Sequence, residues 1–226
     1  MNDNMKIIAH IKSDFPTKFG IPRQSGLADT EAVIVFEPEY RNPDALRGLE
    51  DFSHLWLIWE FSEAKRDTWS PTVRPPRLGG NKRMGVFATR SPFRPNPVGL
   101  SSVKIESIDL YTENGPVITV SGADLLDKTP IYDIKPYLAF ADSHPDAVGG
   151  FADERKDYTL NVEIPMELLE RIPENKCSTL LKILSNDPRP QYINDPGRVF
   201  GFEYADLEIR FTVKDDVLTV IEIQEV

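Results

Sequence analysis

The chain has 226 residues, a formal net charge of −10 and a single cysteine, Cys177, so it holds one domain or one domain with a small annex and no internal disulfide. The acidic balance argues against indiscriminate nucleic-acid binding by the whole surface, and no apolar run approaches the length of a bilayer span. Three scattered histidines, His10, His54 and His144, offer no zinc-ligand spacing, so no metal is expected.

The N-terminus, MNDNMKII, is acidic before it is apolar and lacks the basic start of a secretory leader. With one cysteine, this makes the cytoplasm the expected compartment. Apolar and β-branched stretches then predict strands at Ile7–Ile11, Ala32–Phe36, His54–Phe61, Met84–Thr89, Leu100–Ile108 and Val117–Ser121. Pro38, Arg41–Asp44, Leu78–Asn81 and Glu113–Pro116 separate them as turns, and Asp44–Glu50 has room for one short helical turn. Ile131–Tyr137 reads as a further extended segment. A closed or nearly closed barrel would bury the edges of such strands.

After Asp153 the texture changes. Met166, Leu169 and Ile172 share a helical face behind Pro165, and Leu180, Leu181 and Leu184 predict a second helix. Asp187–Tyr192 reads as a loop. Leu207, Ile209, Phe211 and Val213 alternate with polar residues, Asp215–Asp216 turns the chain, and Val217–Ile223 returns as a strand. The expected fold is mainly β with a small α+β annex, its boundary near Gly149–Gly150. Neither a dinucleotide glycine fingerprint, a P-loop nor a G-x-S-x-G elbow is present.

Charge is unevenly distributed. From Ser70 to Ile105 no acidic residue occurs, while Arg74, Arg77, Lys82, Arg83, Arg90, Arg94 and Lys104 do. Inside this window lies RSPFRPNPVGL, Arg90–Leu100, in which Ser91, Arg94 and Asn96 each precede a proline. Proline biases its predecessor toward extended conformations, so the segment is expected to be an extended, preordered strip. Taken alone it reads as a rigid surface loop with solvated arginines.

Three other stretches carry possible chemistry. FGIPRQSG, Phe19–Gly26, sets Arg23 and Gln24 in a loop behind Pro22, where they suit a carboxylate and a base edge. WSPTVRPPRLGG, Trp69–Gly80, puts an aromatic ring beside two arginines, a combination that suits RNA or simply packs over a core edge. DLLDKTPIYDIKPYLAFADS, Asp124–Ser143, interleaves four aspartates with Lys128 and Lys135. Asp127 reads as a turn cap. Asp133 and Lys135 share a strand face, as a structural ion pair or as part of a catalytic group.

FGIPRQSG, LRGLEDFSHLWLIWEF, TVRPPRLGGNKRMGVFATRSPFRPNPVGLS, DLLDKTPIYDIKPYLAFADS and DPRPQY occur here in the order seen in the TsaA-like family. The chain resembles that family over nearly its whole length, most strongly from Phe19 to Ser143. The resemblance implies a non-Rossmann β-barrel domain, residues 5–148, followed by a small C-terminal domain, residues 153–226. It also implies a homodimer with S-adenosylmethionine near the subunit boundary, and methylation of N6 of threonylcarbamoyladenosine at tRNA position 37.

By position, the resemblance implies cofactor contacts at Pro22, Arg23, Gln24, Ser62, Glu63, Arg90, Leu100, Gly122, Ala123, Asp124 and Leu125. Relatives can carry His-Gln where this chain has Ser62–Glu63. Arg74, Arg77, Lys82, Arg83 and Arg94 would meet tRNA. Asp133 is the candidate proton acceptor, and Tyr137 the candidate to stack on or hydrogen-bond the modified base. The alternative is a binding module that holds S-adenosylmethionine or RNA on the same fold without chemistry.

Overall fold

The computed structural model describes residues 5–64, 68–75, 82–189 and 195–226. The turn expected at Leu78–Asn81, the end of the loop Asp187–Tyr192 and Arg77 lie outside them.

Six strands close a barrel in the order β1-β2-β7-β6-β3-β8. They are β1 (Ala9–Ser13), β2 (Glu31–Phe36), β3 (His54–Glu60), β6 (Val98–Thr112), β7 (Gly115–Ser121) and β8 (Pro130–Pro136), and all neighbours are antiparallel. The period-2 pattern decides which residues turn inward. In β3, Leu55, Leu57 and Trp59 are buried while His54, Trp56, Ile58 and Glu60 alternate with them. Ile11, Ile34, Val103, Ile118, Val120 and Ile131 complete the barrel core. Each buried aliphatic side chain contributes on the order of 1.5–3 kcal/mol, and closure leaves few strand edges to the solvent.

One mismatch of strand lengths shapes everything that follows. β6 has 15 residues and β7 only 7. β7 pairs with β6 between Lys104 and Thr112, whereas β3 pairs with it between Val98 and Lys104. The first third of β6 therefore has a strand neighbour on one side only.

Several sequence expectations shift. The first strand runs Ala9–Ser13 rather than from Ile7, and β6 starts two residues earlier than expected and ends at Thr112. Only Met84–Gly85 (β5) of the expected strand Met84–Thr89 is extended; it pairs with β4 (Thr72–Val73), and Val86–Ala88 coils into a 3-10 turn. The cause lies in Arg94, whose Nη1 donates to the carbonyls of Val86 at 3.1 Å and Thr89 at 2.6 Å and gathers that segment into a turn. The strip Arg90–Pro97 is likewise a series of bends, not an extended strip, closed by Arg94 N–H to Pro92 O and Val98 N–H to Asn96 O, each 2.8 Å. Its prolines fix the φ angles of these bends instead. Asp127 does not cap its own turn; its carboxylate accepts the Ser13 N–H at 3.1 Å and ties β1 to the loop before β8.

A second core lies in the C-terminal part. β9 (Asn161–Glu163), β10 (Phe200–Tyr204), β11 (Leu207–Lys214) and β12 (Val217–Glu225) form a sheet in the order β10-β11-β12-β9, with β9 parallel to β12. The short helix α1 (Ala139–Asp142) follows the barrel, and α2 (Met166–Leu169) and α3 (Glu174–Ser185) follow Pro165 and Pro173. α3 buries Leu180, Ile183 and Leu184 against the sheet. Asp215 and Asp216 both take positive φ, as the two-residue turn of a tight hairpin requires.

The two cores are tied together by the N-terminal chain. Phe15 and Ala28 belong to the second core although they lie between β1 and β2. Lys176 Nζ meets Asp14 at 2.5 Å, and Lys182 pairs with Asp29.

Candidate functional site

The unpaired edge of β6 is lined by two loops. Ser25 Oγ accepts the N–H of Ser102 at 3.2 Å, so the even-numbered residues of this strand segment aim their backbone groups at the open edge. Leu100, two residues earlier, therefore presents its N–H and C=O in the same direction, and its side chain is exposed on the outer face of the barrel. The loop at Pro22–Gly26 is laced to the loop at Gly122–Leu125 by Gly26 N–H to Gly122 O at 2.9 Å. Gly122 takes φ +83°, a conformation that favours glycine, and a Cβ there would just touch the Gly26 backbone at 3.4 Å.

Asp124 stands where these parts meet. The Trp59 indole N–H donates to Ser101 Oγ at 2.9 Å, and the Ser101 hydroxyl donates to Asp124 Oδ1 at 2.5 Å. Burial pushes the Asp124 carboxyl above its ordinary value. The Ser101 hydroxyl, the backbone N–H groups of Asp124 and Ser25, and the nearby Arg90 guanidinium pull it back. Arg90 in turn donates through Nη1 to Gln24 Oε1, and Gln24 Nε2 donates to the Arg23 carbonyl. A carboxylate, a guanidinium and a carboxamide thus converge beside an open strand edge.

Gly99 makes this possible. A Cβ at that position would sit 2.2 Å from the Trp59 ring, so only glycine lets the indole cross β6 and reach Ser101.

The expected cofactor residues fall into three groups. Gln24, Arg90, Leu100 and the run Gly122–Leu125 come together at the open edge; Ala123 and Leu125 are buried in the barrel core and offer the site backbone rather than side chains. Pro22 is buried, and Arg23 Nη2 donates to the carbonyls of Asp187 at 2.9 Å and Arg189 at 2.8 Å, so this guanidinium anchors the loop to the C-terminal part. Ser62 and Glu63 sit in a 3-10 turn at the end of β3, where Lys18 Nζ lies 3.0 Å from both Glu63 O and Glu63 Oε2.

Asp133 and Tyr137 lie on β8 and just beyond it. Ile58 of β3 pairs with Leu100 on one side and Asp133 on the other, which sets Asp133 roughly 10 Å from Leu100 on the same outer face. Asp133 is ion-paired with Lys135 at 2.7 Å and accepts the Ile134 N–H at 2.9 Å. The Tyr137 ring packs on Trp56 with centroids 5.5 Å apart.

Sequence reasoning missed Ser25, Trp59 and Ser101. A signal existed for Ser101: it is a polar residue at an inward position of a strand whose inward neighbour is Val103. Tyr132 was missed too. It is the extra residue of a bulge between Ile58–Trp59 and their partners, and burial together with Glu60 pushes its phenol up to about 12.

The basic residues lie around the β4–β5 ribbon. Arg74, Lys82 and Arg83 are exposed, and Arg83 Nη1 donates to Thr72 Oγ1 at 3.0 Å. Arg94 is engaged with the Val86 and Thr89 carbonyls and lies over the Phe87 ring at 5.6 Å. Among the described residues, no group of three or more His, Cys, Asp or Glu is placed to hold a metal ion, and no helix is long and apolar enough to cross a membrane.

Fold and site together define a mainly β protein whose converging carboxyl, guanidinium and carboxamide groups lie outside any glycine-loop architecture. Comparison with known proteins is more specific. Residues 10–143 match the tRNA-methyltransferase O N-terminal domain and residues 157–226 the TrmO C-terminal domain; the chain belongs to the TrmO family. It is 40% identical over 219 residues to a protein of Escherichia coli K12 named tRNA (adenine(37)-N6)-methyltransferase, covering 92% of each chain. A Methanothermobacter thermautotrophicus protein named probable S-adenosyl-L-methionine-binding protein is 37% identical over 143 residues, 63% of this chain and 96% of that one. The crystal structure of TrmO from Pseudomonas aeruginosa superposes with a TM-score of 0.79 at 33% identity, covering 100% of this chain and 98% of the other.

Proposed function

We propose that this chain is an S-adenosylmethionine-dependent tRNA methyltransferase acting on N6 of adenine-37, with the threonylcarbamoyl derivative of that adenosine as its substrate. The observation that carries the reading is the convergence of Arg90, Gln24 and Asp124 at the open edge of β6. These groups fit the cofactor. The Arg90 guanidinium suits a carboxylate, the Asp124 carboxylate suits an amine or a ribose hydroxyl, and the N–H and C=O of Leu100 suit the edge of a purine. Pro22 and Arg23 hold the loop, Ser62 and Glu63 border the site, and Gly122, Ala123 and Leu125 contribute backbone.

When bound, the cofactor supplies an electrophilic methyl group. The chain's own residues supply position, which carries much of the rate of such a transfer. Asp133, on the outer face shared with Leu100, accepts the proton that the amino nitrogen loses as its new bond forms. Tyr137 borders the modified base. Arg74, Arg77, Lys82 and Arg83 hold tRNA phosphates, and Arg94 supports that surface from within its turn.

Residues 5–148 form the cofactor-binding barrel domain and residues 153–226 the small C-terminal domain. The working form is a homodimer: Leu100 and Phe140 are exposed large apolar side chains, which a second copy would cover. The cytoplasm is the compartment that suits a chain with a single free cysteine.

The test is incubation with labelled S-adenosylmethionine and threonylcarbamoylated tRNA. Label on adenine-37 is the expected result. Cofactor binding with no transfer to any tRNA would leave a binding module, and transfer to tRNA lacking the threonylcarbamoyl group would assign a different substrate.

A further inference from the structure

Outside both cores, the Trp69 and Phe87 rings stack on each other with centroids 6.1 Å apart and planes 29° apart. Trp69 is 52% exposed and Phe87 71%. The pair is held in place. Val86 N–H donates to Pro71 O at 3.0 Å and extends the β4–β5 ladder toward these rings, while Arg94, fixed by two carbonyls, lies over the Phe87 ring. Two large rings kept in contact with each other yet open to water form a preordered flat surface with little left to lose on binding.

The surroundings select the occupant. Arg74 follows Val73 and Arg83 precedes its partner Met84 in the same ribbon, with Lys82 just before Arg83. No carboxylate side chain occurs in the chain from Ser70 to Ile105. A flat π-surface beside a cluster of cations is complementary to a ligand that carries both π-faces and negative charge. An unpaired nucleobase with its phosphates has both; a paired duplex hides its faces in its own stack.

We propose that Trp69, backed by Phe87, is a stacking platform for one unpaired nucleobase of the tRNA anticodon loop. Arg74, Lys82 and Arg83 take the neighbouring phosphates. This deepens the tRNA reading above and rests on it. Trp69 is thereby a positioning residue: it orients the loop and leaves the chemistry to the barrel.

The experiment uses the full chain and two RNAs, a stem-loop with the anticodon-loop sequence and a fully paired duplex of equal length. Of the three tryptophans, Trp59 is buried, but Trp56 is half-buried and packs on Tyr137, so the quench of intrinsic fluorescence that reports on Trp69 is the part lost in Trp69→Phe. The stem-loop is expected to quench and the duplex not. Trp69→Ala with Phe87→Ala should weaken stem-loop binding about 10- to 100-fold while duplex binding and cofactor binding stay unchanged. Trp69→Phe should restore most of the affinity without the quench. Unchanged stem-loop affinity in the double variant, or equal losses for both RNAs, overturns the proposal. So does a fall in sedimentation mass with RNA affinity intact, which would make the rings a contact between copies. Methyl transfer is measured in parallel. Transfer with an unchanged KM for tRNA in the double variant removes the platform alone, and quenching without any transfer by the wild type keeps the platform and removes the enzymatic reading.

Discussion

Ser101 donates its hydroxyl to Asp124 at 2.5 Å while accepting the Trp59 indole N–H at 2.9 Å, so a single buried hydroxyl links the barrel core to the carboxylate of the candidate site. Replacing it with alanine leaves a buried indole N–H without its acceptor. Ser101→Ala is expected to lose about 1–3 kcal/mol of stability in urea denaturation, with weaker cofactor binding. A variant as stable as the wild type would show that Trp59 finds another partner.

Asp124 also makes a prediction about pH. Its pKa is raised on folding, so the native state keeps a proton that the unfolded chain has already lost. Its contribution to stability is full below the ordinary carboxylate pKa and is lost as pH rises through the folded value. A cationic amine on the ligand favours the ionised form, so cofactor affinity should rise through that window. Calorimetric titration across pH should show this slope in the wild type and a weak, flat profile in Asp124→Asn. A slope that survives the substitution would assign it to another group.

The two arginines near the site should behave differently. Arg90→Ala is expected to weaken cofactor binding about tenfold to a hundredfold with little change in melting temperature. Arg23→Ala, which removes two bonds to the carbonyls of Asp187 and Arg189, should lower stability first and cofactor affinity as a consequence. Equal cofactor losses with no change in stability for either variant would put both guanidinium groups on the ligand.

Gly99→Ala drives a methyl group into the Trp59 ring, and the ring lies inside the barrel where it has little room to retreat. A loss of about 1–3 kcal/mol is expected from overpacking, with the Ser101–Asp124 link disturbed as well. Thermal melting with and without cofactor separates the two effects.

Salt dependence checks the basic ribbon. Each of Arg74→Ala, Lys82→Ala and Arg83→Ala should reduce the slope of log affinity for tRNA against log salt by about 0.7 to 0.9 if it removes one phosphate contact. Cofactor binding should be unaffected.

The barrel strands were legible as apolar, β-branched and aromatic runs set off by turn signals, although HLWLIWE is apolar on both faces and only the structure shows that Leu55, Leu57 and Trp59 turn inward. The C-terminal hairpin was legible from its alternation, with Asp215–Asp216 as its turn. The segment Met84–Thr89 was misread because its shape is set by Arg94, a residue outside its own window. The strip Arg90–Pro97 was misread because proline excludes helix without distinguishing extension from successive bends. At the site, Gln24, Arg90 and Asp124 were among the positions that the family resemblance implied. The use of Arg23 as an anchor was hidden, since its partners are carbonyls more than a hundred and sixty positions away. Ser101 stood out as a polar residue at an inward strand position, but its link to Trp59 was visible only once β6 and β3 were in register.

The unequal lengths of β6 and β7 divide labour along one strand. Lys104–Thr112 helps seal the cylinder, and Val98–Val103 forms the open edge beside the candidate site. Two bulges in the β6–β7 pairing, after Ile105 and after Asp109, separate the far hairpin from that border. The tip at Glu113–Asn114 is therefore set apart from the open edge of β6, and a peptide tag or fluorescent reporter spliced there should leave cofactor binding untouched.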